Sequence, residues 1–333
     1  MATYNFEILL KDIPWAEIES CVDANVFKCQ CWNNFLIRTL SLKPFVVQIS
    51  KDSKCIGYFV GYKFKKFGIT IIGSPFEGWT TSYQGISAKS DISREERVEI
   101  YKELSVYSLK YCQLFQFADW SLDFQDINNV FRFVERIESY WLDISPNIDT
   151  LFKCFKQKSC QYSIHKAQKL GVIVRKPQKI NEFAKEYYAQ LIDVFAKQGI
   201  KPTYGIDRAE SILEELDSDK VIALEARHPD TNECMATIIF VLHNKVAFYW
   251  GASSYRKYQK YCPNELLMFE AIKLMKDKGV EILEMEGIRP YKEKYNPTRY
   301  AKPKIIECKY PILIKAKHIV KYFLCKFNGL VKF

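Results

Sequence analysis

The chain of 333 residues is 48% hydrophobic and 15% aromatic, a composition that supports packed cores and excludes global disorder. Its length favours two domains, and no run of 18 apolar residues indicates a transmembrane helix. The formal net charge of +10 is uneven: residues 1–150 carry 16 Lys and Arg against 19 Asp and Glu, whereas residues 151–333 carry 33 against 20. The second half is therefore expected to attract an anion, such as a phosphate, a nucleic acid or an acidic membrane surface.

The eleven cysteines follow no metal-binding or disulfide pattern. C-x-C occurs once, at Cys29 and Cys31, and C-x-x-C does not occur. The first residues, MATYNFEILLKDIPW, lack the basic region and apolar run of a secretory signal. These features predict reduced thiols in a cytoplasmic protein, with no metal site and no bound cofactor.

Residues 1–146 are predicted to form an α/β domain built on a meander of antiparallel strands. The predicted strands are Tyr4–Leu10, Phe45–Ile49, Ile56–Tyr62, Gly68–Gly73, Val130–Arg136 and Ser139–Asp143, and the predicted helices lie at Ala16–Val22, Asn25–Leu40 and Arg94–Tyr111. The KDSK segment between the second and third strands indicates a hairpin. Asp91 to Ser93 are expected to cap the third helix.

The turn-forming residues Ser145, Pro146 and Asn147 mark the predicted boundary between domains. Residues 147–310 then form the second domain. Its predicted helices are Ile148–Leu170, Asn181–Gln198 and Arg208–Leu216, and its predicted strands are Val172–Lys176, Val221–Arg227, Ala236–Leu242, Val246–Ser253 and Lys304–Lys309.

Residues 311–333 form a basic, amphipathic C-terminal segment, typical either of an interfacial helix on anionic lipid or of a helix docked on its domain.

A crossover unit organises the second domain. After the strand VAFYWGAS, Pro263 opens an amphipathic helix, Gly279 ends it, and the strand VEILEM follows. The strand ends beside such a helix are where backbone N–H groups and the helix dipole bind a ligand. Since both halves repeat the order helices, antiparallel strands, helix and strands, we predict two copies of one α/β unit, in the order of an acyltransferase fold.

Four stretches carry a resemblance to a known family. They are NVFKCQCWNNFL with Phe27 and Trp32, the run from Cys55 that ends in Tyr83 and Gly85, the basic helix KSCQYSIHKAQKLGVIVRK, and the crossover with YWGASS, PNELLMFEAIKLMKDKG, EMEGI and YKEKY. Their order and spacing resemble the FemAB-like aminoacyl transferases, tandem-domain members of the GNAT acyltransferase superfamily. The resemblance implies two GNAT-like domains, each with a mixed, mainly antiparallel sheet flanked by helices.

The resemblance also implies a reaction, in which an amine attacks an activated aminoacyl or acyl ester and forms an amide. Many members of the family take the amino acid from aminoacyl-tRNA and extend the peptide of a cell-wall precursor that carries a diphosphate. Such a reaction needs a positioned amine and a group that stabilises the oxyanion, sometimes with a base, but no covalent nucleophile.

Four residues are candidates for catalysis. Lys292 and Lys294 are expected to stabilise charge at the ester and phosphate of the donor, unless they are solvated lysines on a turn. Glu284 faces the same side of its strand as Glu286 and is expected to act as a base or to orient the amine, unless both are exposed carboxylates. Tyr83 is expected to hydrogen-bond the acceptor, unless it is a packed aromatic.

The candidate substrate-binding residues are mainly basic. They are Lys158, Lys166, Lys169 and Arg175, together with Trp250, Tyr255 and Arg256. The first four suit the phosphates of a tRNA or a diphosphate, and the alternative is a solvated helix face.

The loop before the crossover helix bears on the acyl donor. A CoA-dependent GNAT enzyme needs glycines there, because only then do backbone N–H groups approach the pyrophosphate. The loop SSYRKYQKYCPNE has no glycine after Gly251, which favours aminoacyl-tRNA. Two alternatives stay open: an acyl-CoA- or acyl-carrier-dependent N-acyltransferase in surface polysaccharide biosynthesis, and a non-enzymatic basic binding protein.

Overall fold

The computed structural model describes residues 4–127, 130–196, 199–314 and 317. The chain divides into two compact units, unit 1 with residues 1–137 and 301–333, and unit 2 with residues 138–300. The predicted domain boundary at residue 146 stays a prediction. The predicted C-terminal segment 311–333 lies outside the described residues, except for residues 311–314 and 317.

Both units are built from strands and helices. The strands are β1 (Tyr4–Leu9), β2 (Lys43–Lys51), β3 (Lys54–Lys66), β4 (Ile69–Ser74), β5 (Gly85–Ala88), β6 (Leu114–Phe117), β7 (Phe133–Asp143), β8 (Ile173–Arg175), β9 (Val221–Arg227), β10 (Cys234–His243), β11 (Val246–Ser254), β12 (Ile282–Glu284) and β13 (Thr298–Cys308). The helices are α1 (Trp15–Glu19), α2 (Gln30–Leu40), α3 (Arg94–Ser108), α4 (Ile148–Cys154), α5 (Tyr162–Lys169), α6 (Ile180–Ala196), α7 (Ile206–Glu215) and α8 (Pro263–Asp277).

In unit 1 the strands lie in the order β1-β2-β3-β4-β6-β13, and β5 pairs with β3. Neighbouring strands are antiparallel except for β4 and β6, which are joined through α3 and run parallel from Ile71 opposite Leu114. The predicted cap of α3 is confirmed, because the side chain of Ser93 accepts a hydrogen bond from the N–H of Glu96 at 3.1 Å. Unit 1 therefore contains a crossover of its own.

A buried ion-pair network anchors α3 in unit 1. The guanidinium of Arg97, which is 4% exposed, donates hydrogen bonds to Asp23 at 2.5 Å and to Asp119 at 3.0 Å. The hydroxyl of Tyr101 donates to the same oxygen of Asp119 at 2.6 Å. Burial by itself would raise the pKa of Asp119, but the charge of Arg97 holds it below its ordinary value. The carboxylates are therefore tolerated in the core because their cation is present.

In unit 2 the strands lie in the order β7-β12-β11-β10-β9-β8. They are antiparallel except for β11 and β12, which are joined through α8 and run parallel, so the predicted crossover is confirmed. The apolar residues that make its helix amphipathic are buried, namely Leu266, Leu267, Phe269, Ala271, Ile272 and Met275. Both units thus have the predicted architecture of mixed, mainly antiparallel strands with flanking helices.

Three details of the predicted secondary structure are wrong. The helix expected over residues 148–170 breaks after Cys154, where the side-chain amide of Gln161 donates to the carbonyl of Phe155 at 2.7 Å. The two strands expected within residues 130–143 form the single strand β7. Strands β5 and β6 were not predicted, because buried runs of four residues carry no readable period.

Arg97→Leu is expected to lower the free energy of unfolding by about 3–5 kcal/mol, because it leaves Asp23 and Asp119 without their cation. Denaturant titration followed by circular dichroism measures the loss. Arg94→Leu is the control on the same helix, since Arg94 is half exposed in its ion pair with Asp123 and is expected to cost about 1 kcal/mol or less. Equal losses in the two variants would contradict a stabilising role for the buried network.

Candidate functional site

The candidate site is a fork between β11 and β12 in unit 2. The two strands pair in parallel over a short stretch that ends with Phe248 opposite Glu284. β11 then continues to Ser254, whereas β12 ends and the chain turns at Glu286 and Gly287, whose φ angles are 57° and 74°. A ligand is expected at this fork, because open sheets bind ligands at the carboxyl ends of parallel strands joined by a helix.

Lys292 places its ammonium group inside the fork. The residue is 2% exposed, and its Nζ lies 5.1 Å from the ring centroid of Tyr249 on β11. On the β12 side, Nζ donates hydrogen bonds to the carbonyls of Met285, Glu286 and Gly287, the last two at 2.5 and 3.3 Å. Burial lowers the pKa of Lys292 to about 8. The ammonium form therefore still predominates at neutral pH.

Glu284 holds the same turn from the other side. Its carboxylate is buried and accepts hydrogen bonds from the hydroxyl of Tyr300 at 2.6 Å and from the N–H of Glu286 at 2.8 Å. Burial raises the pKa of Glu284, although these donors and Lys292 oppose the shift. Both carboxylate oxygens are thus engaged in positioning the turn, and the expected role of Glu284 as a base stays a prediction.

An aromatic cluster covers the β11 side of the fork. β11 is bulged against β10 at Trp250, and the Trp250 ring lies 6.0 Å from the ring of Tyr187 and 5.6 Å from that of Tyr204. The hydroxyls of the two tyrosines share a hydrogen bond of 2.7 Å. A Cβ on Gly251 would lie 2.3 Å from the Tyr187 hydroxyl, so only glycine permits this approach of α6 to the strand.

Lys294 contacts the N-terminus of α8. Its ammonium group forms an ion pair with the carboxylate of Glu265, which lies in the first turn of that helix. Pro263, the first residue of α8, has no N–H to donate. A carboxylate of the protein therefore lies in the first turn, near the positive end of the helix. The structure brings Lys292 and Glu284 together at the fork, whereas Lys294, in the turn Pro290–Tyr295, pairs with α8.

The predicted basic residues divide into two groups. Lys158 and Lys169 are exposed and Lys166 is half-buried, and all three lie on α5 or on the π turn before it. Arg175 is instead ion-paired at 2.7 Å with Glu225, a carboxylate that is only 2% exposed. Glu225 also pairs with Arg227 at 2.5 Å, so the two arginines share one carboxylate, while Lys158 and Lys169 face solvent.

The remaining predicted residues lie in different surroundings. Arg256 is exposed and Tyr255 half-buried in the connection from β11 to α8. Tyr83 belongs to unit 1, where it is buried and packs edge-on against Trp120 with ring centroids 5.1 Å apart.

Sequence reasoning missed Tyr187, Tyr204 and Tyr300. In the sequence, each of them is an ordinary aromatic residue of a predicted helix, loop or strand. Only the packing of α6 and β13 brings them to β11 and Glu284. The one local signal was Gly251, since a glycine within a strand often marks a bulge or a close approach.

Over residues 4–127, 130–196 and 199–314, no group of His, Cys, Asp or Glu side chains is arranged to hold a metal ion. Within the same ranges, no helix has the length and apolarity needed to cross a bilayer.

Comparison with known proteins bears on the family and on the fold. Residues 156–294, within unit 2, match the family described as acetyltransferase (GNAT) domain. No curated protein matches the sequence. Among solved structures, the chain is similar to FemX, with a TM-score of 0.72 and 10% identity over 94% of this chain and 99% of that chain.

Two further structures share the fold. A tandem GNAT protein from the clavulanic acid biosynthesis pathway has a TM-score of 0.53 and 9% identity over 93% of this chain and 99% of its own. The C-terminal domain of a putative lysylphosphatidylglycerol synthetase from Agrobacterium fabrum has a TM-score of 0.55 and 10% identity over 95% and 98%. At such identities the likeness concerns the fold, and it confirms the predicted FemAB-like tandem GNAT architecture.

The shifted pKa of Lys292 predicts a pH dependence of stability. Burial lowers its pKa from the ordinary 10.5 to about 8, so between these values the unfolded chain binds a proton that the folded chain has released. The free energy of unfolding is therefore expected to rise with pH across this window, by on the order of 3 kcal/mol relative to Lys292→Met, which does not titrate. Denaturant titrations of both proteins across the window test this, and a pH-independent difference would contradict it.

Proposed function

We propose that this chain, an acyltransferase with the FemAB-like tandem GNAT fold, transfers an aminoacyl group from aminoacyl-tRNA to an amine of a cell-envelope precursor or another peptide or sugar acceptor. The observation that carries the proposal is the buried ammonium group of Lys292 in the fork of unit 2. Aminolysis of an ester develops negative charge on the carbonyl oxygen, and a cation held in a desolvated site stabilises such charge.

The reaction needs no covalent bond to the protein. The acceptor nitrogen attacks the ester carbonyl, the C–N bond forms, and the C–O bond to the carrier hydroxyl breaks. The proton lost by the amine is balanced by the proton gained by the carrier oxygen. Lys292 supplies the positive charge, and the turn that it shares with Glu284 keeps that charge in place between the strands.

The N-terminus of α8 supports a donor other than a coenzyme A thioester. A pyrophosphate would need the free N–H groups and the positive dipole at this helix end. Here Pro263 removes one N–H, and the carboxylate of Glu265 lies in the first turn with its partner Lys294. A second anion at this place would meet a carboxylate, whereas an ester presented by a tRNA needs no such cradle.

The exposed lysines and the structural relatives agree with this donor. Lys158 and Lys169, which are exposed, and Lys166, which is half-buried, offer cations to the phosphates of a carrier. Two relatives in the fold are named FemX and putative lysylphosphatidylglycerol synthetase, which favours an aminoacyl cargo. We place the enzyme in the cytoplasm, with peripheral membrane contact through residues 311–333.

An acyl-CoA-dependent N-acyltransferase of surface polysaccharide biosynthesis is the second candidate. The observation in its favour is that the family matched by residues 156–294 is described as an acetyltransferase domain. The two candidates share the fork and the amine acceptor and differ in the carrier of the acyl group.

Substitution of the two neighbouring lysines separates catalysis from structure. Lys292→Met is expected to lower kcat for amide formation by about 10²–10³-fold, because it removes the cation at the developing oxyanion. Lys294→Met is the matched control and is expected to cost less than about tenfold, since Glu265 already neutralises that charge. Incorporation of a labelled amino acid into an acid-stable amide measures both.

Lys292→Arg is the companion variant, because a guanidinium keeps its positive charge at neutral pH. Partial recovery of kcat relative to Lys292→Met is expected. Equal activity in all three variants, with unchanged circular dichroism, would remove Lys292 from the reaction.

The carrier is tested by enzymatic removal of RNA. Amide formation in a cell extract supplemented with the purified chain is expected to stop after ribonuclease treatment and to resume when inhibitor and fresh aminoacyl-tRNA are added. Lys158→Glu/Lys169→Glu is expected to raise KM for the aminoacyl-tRNA while leaving kcat within a few-fold, because exposed cations contribute binding to the carrier. Amide formation that survives ribonuclease and depends on acyl-CoA would instead establish the second candidate.

A further inference from the structure

Three segments meet at one end of the unit 1 sheet. Lys66 opposite Ile69 closes the β3–β4 hairpin. The N–H of Gln113, just before β6, donates to the carbonyl of Thr70 at 2.9 Å, and the N–H of Lys309, just after β13, donates to the carbonyl of Gln113 at 3.0 Å. The hairpin tip, the start of β6 and the end of β13 are therefore neighbours.

Lysines at this end are not neutralised by the protein's own acids. Within the part of the chain that the structure describes, no ion pair is formed by Lys63, Lys65, Lys66, Lys110 or Lys309. Further back in β13 the lysines are paired, Lys302 with Asp123 at 2.8 Å and Lys304 with Glu77 at 2.8 Å. The positive charge at the end of the sheet is thus available to an external anion.

The hairpin tip carries an apolar residue that turn geometry does not explain. Phe67 has a φ of 50°, is followed by Gly68 with a φ of 78°, and is 76% exposed. Two-residue hairpins favour Asn or Asp at such a position, and two other hairpins of this chain have Asp52 and Asn244 there. Phe67 is unfavourable both for the backbone and for contact with water, and it fills no core.

Further exposed apolar side chains follow the last strand. Tyr310 is 59% exposed and Ile312 is 65% exposed, directly after Lys309. We call this surface the basic edge and define it by its principal residues, Lys63, Lys65, Lys66, Phe67, Lys309 and Tyr310.

We propose that the basic edge docks unit 1 on an anionic lipid bilayer, with Phe67 in the headgroup region and the lysines at the lipid phosphates. Exposed aromatic and aliphatic side chains flanked by lysines are the composition of an interfacial membrane contact. A single-stranded nucleic acid would instead call for aromatic platforms along a groove, and Ile312 offers no ring for stacking. Residues 308–333 include no Asp or Glu. No acidic side chain that follows the basic edge along the chain would therefore repel an anionic surface.

The experiment is co-sedimentation of the full chain with phosphatidylcholine vesicles that do or do not contain phosphatidylglycerol. Binding is expected only with phosphatidylglycerol and should weaken with added salt. Lys66→Gln is expected to weaken it about fivefold, and Lys65→Glu/Lys66→Glu by more than about tenfold. Phe67→Asn is expected to weaken it about tenfold while leaving the melting temperature unchanged or raised, because Asn suits the turn.

Two controls lie at the opposite end of the same sheet. Lys54 begins strand β3, and Val22, which is 58% exposed, donates its N–H to Ala88 near that end. Lys54→Glu and Val22→Ser are expected to leave vesicle binding within about twofold. Strand β3 extends over roughly 30 Å between these positions and the basic edge, which is farther than a Debye length.

Two outcomes would overturn the proposal. One is binding to phosphatidylglycerol that Phe67→Asn and Lys65→Glu/Lys66→Glu leave unchanged. The other is no vesicle binding at all, including the case in which the chain binds RNA and these substitutions weaken that binding. The measurement uses neither donor nor acceptor, so its result is independent of the proposed acyl transfer.

Discussion

A buried ammonium group held by three backbone carbonyls is the interaction on which the candidate site depends. Transfer of a lysine side chain from water into a protein interior is costly, and the carbonyls of Met285, Glu286 and Gly287 offset that cost for Lys292. The same hydrogen bonds stabilise a turn in which two successive residues have positive φ angles. The same contacts thus keep β12 from continuing beside β11 and leave a positive charge between the strands.

Each unit contains a parallel pair of strands joined through a helix, but the two pairs end differently. In unit 1 the parallel pair β4–β6 stays joined beyond its last residues, because the N–H of Ala118 donates to the carbonyl of Ser74 and the N–H of Gln84 donates to the carbonyl of Ala118. The N–H of Gly85 then donates to the hydroxyl of Ser74 at 2.7 Å. These hydrogen bonds therefore close, in unit 1, the position at which the strands of unit 2 separate into the fork. This difference favours unit 2 as the place where the acyl group is activated.

The pairing of charges determines what each lysine can do. Lys294 is paired with Glu265, and Arg175 shares Glu225 with Arg227, so both are engaged in ion pairs within the fold. The lysines on α5 and at the basic edge of unit 1 have solvent-facing charge instead. A count of basic residues along the chain cannot make this distinction, because acids distant in sequence supply the partners.

The crossover of the second half was predictable because its signals are local. Pro263 at the helix start, Gly279 after its end and the apolar positions between them follow from the geometry of a single helix, and the structure confirms them. The FemAB-like tandem GNAT fold was likewise readable from the order of four stretches. The break after Cys154 was not, because a helical pattern of side chains does not reveal a carbonyl that Gln161 satisfies from the next turn.

By itself, the sequence determined the fold class and the crossover and named Lys292 and Glu284 as candidates, since periodicity, caps and spacing act within one element. Only the tertiary structure decided that Lys292 and Glu284 share one turn, that Tyr187 and Tyr204 reach Trp250, and that Lys294 pairs with Glu265 of α8. The physical reason is that a buried charge is placed by the carbonyls, rings and carboxylates that surround it, and the fold brings these from distant parts of the chain.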